Sequence, residues 1–124
     1  DDKTPISEAP FTPTSAQGAA NVVQTYFALM EQARAQEAAR LRTDGKPQEL
    51  SPYASWHGNV GAPGRIEGAA GSLFVEAPVV LYGRLKTGAE FHRSGKVVLR
   101  RVNDVPGSTA EQRRWRIERF DLTG

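Results

Sequence analysis

The chain has 124 residues, enough for one domain and too few for two. It contains no Cys, which excludes disulfide frameworks, thiolate zinc sites and thiol nucleophiles. Net charge is only +2 but unevenly spread: residues 1–50 hold seven acids and five bases, and 84–119 hold ten bases and four acids. The C-terminal half therefore offers a basic surface to anions of any kind.

No apolar run approaches the ~18 residues of a membrane span. There is no initiating Met and no signal peptide, so the chain reads as a processed or trimmed form. Residues 1–14 read as a tether, with Pro5, Pro10 and Pro13 among Thr4, Ser7, Thr12 and Thr14. Such a stretch suits an envelope protein lipid-anchored just before Asp1, and equally an ordinary free terminus. The expected location is the periplasm or cell envelope. Residues 15–124 read as a single domain.

Ser15 is a good helix cap. After it Ala19, Val22, Val23, Tyr26, Phe27, Met30 and Ala33 recur at three and four residues, the spacing of one helical stripe. Arg34 to Arg42 remains helix-forming, as a second helix after a kink, until Asp44-Gly45 and Pro47. Ser51-Pro52 predicts a short helix that carries Tyr53 and Trp56 inward and ends at Gly58. The glycine-rich stretch 61–71 has no Gly-Lys-Ser/Thr ending and runs into a strand, so it is a connector and not a phosphate loop.

Three strands follow. From Ser72 to Leu85 the odd positions are wholly apolar, with a bulge or sheet edge expected at Pro78. Lys86-Thr87-Gly88 fits a three-residue hairpin loop with Gly in the left-handed position. That register sets Arg84 opposite Glu90, Tyr82 opposite His92 and Phe91 opposite Gly83. The second strand runs to Asn103 with Phe91, Val97 and Leu99 inward. Asp104 to Glu111 is a polar loop. The last strand, Gln112 to Leu122, turns Trp115 and Ile117 inward, with Leu99 opposite Trp115 and Val97 opposite Ile117.

The expected class is α+β: a long N-terminal helix and shorter helices packed on a curved, cone-like antiparallel sheet. The order of elements, the run Ala19–Met30 and the ending Arg114-Trp115-Arg116-Ile117 resemble the nuclear transport factor two-like superfamily over residues 15–122. The resemblance implies a sheet curled around helices, often with a pocket. Some members of that group are isomerases or cyclases, and others only bind. The isomerases use a carboxylate base in an apolar pocket. No acid falls mid-face here, so no catalytic residue carries over.

The strand register suggests one polar constellation. Arg93 would face inward opposite Asp121, with Arg119 beside them: two guanidinium groups and a carboxylate at one end of the sheet. That set fits an anion-accepting floor or a structural ion pair at the rim. Tyr26, Trp56 and His57 would complete the lining of a ligand pocket. His57 and His92 read as surface or rim residues, no metal-ligand spacing is present, and no cofactor is implied. Lys96, Arg100, Arg114 and Arg116 make the outer sheet face basic. With only Tyr82 and Phe74 there to stack, nucleic acid is a poor fit, and a protein partner or second copy is better. The reading is a non-catalytic domain binding a small anionic or apolar ligand or a protein. The alternative is an isomerase, dehydratase or cyclase moving protons in an apolar pocket.

Overall fold

A computed structural model describes residues 12–123. Residues 1–11 of the expected tether therefore lie outside the described chain. Helix α1 spans Ala16–Glu31, and the Ser15 side chain accepts from the Gly18 amide. The buried stripe is Ala19, Val23, Tyr26, Phe27 and Met30. Ala33 does not extend it: it adopts φ 60 and ends the helix. Ala33 N donates to Met30 O at 3.0 Å and Arg34 N to Leu29 O at 2.9 Å, the paired closure of a left-handed helix stop. A short α2, Ala35–Ala39, follows the kink.

The sheet is antiparallel in the order β1 (Tyr53–Val60), β3 (Ser72–Leu85), β4 (Glu90–Val102), β5 (Arg116–Thr123). A three-residue β2, Glu67–Ala69, pairs with β3 beyond the end of β1. The short helix expected after Ser51-Pro52 is instead strand β1. An eight-residue edge strand satisfies its amides against β3, which a one-turn helix cannot do for itself. Trp56 still turns inward, because it lies opposite Gly83 on the apolar face.

The first hairpin has the expected register: Arg84 opposite Glu90, Gly83 opposite Phe91, Tyr82 opposite His92. Gly88 takes φ 95, and Leu85 N donates to Ala89 O at 2.8 Å. Pro78 makes no bulge and pairs regularly with Lys96. β1 pairing stops at Val79 and β2 pairing starts at Phe74. The missing amide of Pro78 thus falls between the two pairings, where the connector after β1 donates to β3 carbonyls: Gly61 N to Pro78 O and Gly64 N to Glu76 O, both at 2.8 Å.

The second hairpin departs from expectation. Leu99 lies opposite Ile117, and Val98 opposite Arg119. Glu118 is an extra residue, a bulge that bends β5 and reverses which residues face in. Beyond it Val97 opposes Phe120 and Lys96 opposes Asp121. Phe120 and Leu122, not Arg119 and Asp121, therefore pack on the core. Val79, Leu99 and Ile117 are buried at 2%, 0% and 1% exposure, so the apolar face closes on α1. Burying such side chains is worth about 1.5–3 kcal/mol each.

Candidate functional site

One end of the curved sheet holds a depression of about 440 Å³. Its apolar wall is Tyr53, Trp56, Leu81, Phe91, Phe120 and Leu122. Its polar rim is Arg42, Asp44, Lys46, Arg93 and Arg119. The interior behind it is filled. Phe27 stacks on Phe120 with centroids 6.1 Å apart, and Tyr26 lies 5.8 Å from Phe120. Phe27 also meets Trp56 at 5.7 Å. The cone therefore has a shallow mouth over an aromatic plug.

The rim is organised by Arg42. Its Nε donates to Asp44 Oδ1 at 3.0 Å and its Nη2 to Asp44 Oδ2 at 3.1 Å. Its Nη1 reaches the Tyr26 hydroxyl at 3.4 Å. The chain here is pinned to β5: Ile117 N donates to Leu41 O at 2.7 Å, and Thr43 N to Ile117 O at 2.9 Å. Hydrogen bonding from Arg42, helped by the Lys46 amide, holds the Asp44 carboxyl down to about 2. The same pairing raises the Arg42 guanidinium, which stays charged.

Each residue expected at the site has a definite place. Arg93 lies on the inner face opposite Leu81, exposed at the mouth. It does not face Asp121. Arg119 and Asp121 point to the other face of β5 because of the bulge, and pair there, Nε to Oδ2 at 3.1 Å. From that edge strand Arg119 still contributes to the rim. Trp56 is in the wall. Tyr26 is beneath it, 1% exposed. His57 is not at the mouth: it lies opposite Tyr82 on the outer face, stacked on that ring at 5.2 Å, with Nδ1 3.3 Å from Glu31 Oε2.

The structure also assembles residues that the sequence reading passed over. Arg42 and Asp44 joined the mouth only through the bridge to Ile117. Phe120 and Leu122 carried a signal: apolar spacing of two from Trp115 to Ile117, then three to Phe120, then two again, marks a bulge in a strand. On the outer face His57, Tyr82 and His92 form one row across three strands. Among the described residues no cluster of three or more His, Asp or Glu side chains forms a metal site.

One solved structure shares this arrangement. It is the "Nuclear transport factor 2 (NTF2-like) superfamily protein from Salmonella enterica subsp. enterica serovar Typhimurium str. LT2". The match covers 92% of this chain and 93% of that one, with a TM-score of 0.57 and 12% identity. The chain has the nuclear transport factor two-like fold. At this identity the likeness speaks for the fold alone. No protein-family model and no curated protein matches the sequence. Among the described residues no helix is long and apolar enough to cross a membrane.

Proposed function

We propose that this nuclear transport factor two-like domain is a non-catalytic binding module that takes a small anionic ligand with an apolar body at the cone mouth. The carrying observation is the exposed Arg93 guanidinium over a wall of Tyr53, Trp56, Leu81 and Phe91. Arg binds carboxylates through a planar fork, and an apolar wall beside it rewards a hydrocarbon or aryl tail. A volume of about 440 Å³ suits a small molecule.

The alternative, proton-transfer catalysis in this mouth, is poorly served. A general base works best when its pKa lies near the operating pH. The mouth's carboxylate, Asp44, is held far below that by Arg42. The deep apolar cavity that would raise a carboxylate is occupied by Tyr26, Phe27 and Phe120. The proposal extends to the cell envelope as the setting, on the Pro- and Thr-rich composition of residues 1–14.

A titration with 3-phenylpropanoate, followed by amide chemical shifts, tests the reading. Shifts should centre on residues 53–56, 81, 91–93 and 120–122. The neutral amide of the same acid should bind at least tenfold more weakly, and Arg93→Ala should erase that preference. Equal binding of acid and amide, or no shifts at millimolar ligand, would overturn it.

A further inference from the structure

A second, larger concavity lies on the other side of the Arg42 segment, about 1090 Å³ in volume. One wall is the N-terminal half of α1, with Asn21 and Val22. The other is the end of the polar loop and the approach to β5, with Arg113, Arg114 and Arg116. Arg40 and Leu41 close the floor between them. This groove shares no apolar wall residue with the cone mouth.

Among the described residues its charge is unbalanced. Glu111 alone, among the described residues, serves Arg114, at 3.6 Å, and Arg116. Asp104 is divided between Arg113 at 3.4 Å and Arg101 at 3.5 Å. Near Arg40, the Glu37 carboxylate is already taken on both oxygens by Arg34, at 2.7 and 2.6 Å. Five arginines thus line the groove beside a half-buried aliphatic pair, Val22 and Leu41: Arg40, Arg113, Arg114 and Arg116, with Arg42, which Asp44 holds. Trp115 closes the end but is 2% exposed, with its Nε1 donating to Ser15 O at 2.9 Å.

We infer that this groove is a docking site for an acidic, extended peptide segment of a protein partner, with aliphatic side chains alternating among its carboxylates. Charge complementarity selects the acid: paired guanidinium groups meet carboxylates two-pronged. The aliphatic strip selects a peptide over a nucleic acid. Single-stranded nucleic acids need exposed aromatic faces on which bases stack, and among the described residues that line the groove the only aromatic ring, Trp115, is buried.

The test uses the full chain and a fluorescein-labelled peptide, Glu-Leu-Asp-Leu-Glu-Leu-Asp, read by anisotropy. Binding should weaken at least tenfold between 50 and 300 mM salt. The charge reversal Arg40→Glu with Arg114→Glu, both on exposed side chains, should weaken it at least tenfold. Leu41→Ser should weaken it several-fold, with folding checked by circular dichroism and by retained ligand shifts at the mouth. Arg93→Ala should leave it unchanged, which separates this site from the mouth. The inference is overturned if the Leu→Ser version of the peptide binds equally well, if poly(U) outcompetes the peptide at equal charge, or if the double reversal has no effect.

Discussion

Arg42 grips Asp44 at two points, Nε to Oδ1 at 3.0 Å and Nη2 to Oδ2 at 3.1 Å, and so fixes the rim of the cone mouth. The Asp44 carboxyl is depressed from its ordinary 3.8 to about 2 in the folded chain. A depressed acid stabilises the fold while ionised. That contribution is complete above about pH 4 and is lost as pH falls through 2. Asp44 is 41% exposed in its side chain, so solvent screening limits the effect to about 1 kcal/mol or less. In urea titrations the stability gap between the native chain and Asp44→Asn should be present at pH 6 and shrink towards zero between pH 4 and 2. A gap independent of pH would contradict the pairing.

The same substitution bears on binding. With residue 44 neutral, Arg42 would lose its ionic partner, and its charge lines the mouth together with Arg93. Asp44→Asn should therefore raise affinity for 3-phenylpropanoate by about two- to fivefold, read in the same chemical-shift titration. A fall in affinity would mean that the Arg42–Asp44 clasp itself shapes the mouth.

The bulge at Glu118 makes a pair of opposite predictions for adjacent residues. Phe120 packs on Tyr26 and Phe27, whereas the Arg119 side chain is exposed and, among the described residues, bonded only to Asp121. Phe120→Ala should cost about 2–4 kcal/mol in denaturant unfolding, somewhat below a fully buried Phe. Arg119→Ala should stay within ~0.5 kcal/mol. An unbulged β5 demands the reverse order.

Gly58 faces α1 so closely that an added Cβ would meet the Phe27 ring at 2.7 Å. The ring is held between Trp56 and Phe120 and has little room to yield. Gly58→Ala should destabilise by about 1–3 kcal/mol, and Phe27→Leu should recover part of that loss in the double variant. Thermal melts of the three variants give the coupling directly.

Leu99 and Ile117 are paired across β4 and β5 at 0% and 1% exposure. Leu99→Ala should cost about 2–5 kcal/mol, the range for a buried Leu that leaves a cavity. A loss under 1 kcal/mol by chemical denaturation would place Leu99 outside the core.

Local chemistry in the sequence was enough for α1, its Ser15 cap, β3, and the hairpin at Lys86–Gly88. Each depends on residues within a few positions of one another: a stripe of period 3.6, an alternation of period two, a glycine in a left-handed turn. The inner face of β3 and of the first part of β4 follows from that turn, since a hairpin loop fixes register on both sides. The long polar loop after Asn103 offers no such constraint. Register across it was left to side-chain packing, and the strand absorbed Glu118 to bring Phe120 onto Tyr26 and Phe27.

The segment from Ser51 shows the same limit in another form. Ser-Pro is a helix-opening signal, but Tyr53–Val60 became a strand because β3 presented an unfilled row of backbone donors and acceptors. That decision moved His57 to the outer face beside Tyr82 and left Trp56 in the mouth. Sequence alone therefore determined which residues are apolar, where the first helix starts and how the first hairpin turns. Only tertiary packing decided which arginines meet at the mouth, because a single bulge or a single bridge from Arg42 to Ile117 reassigns faces and neighbours across distant parts of the chain.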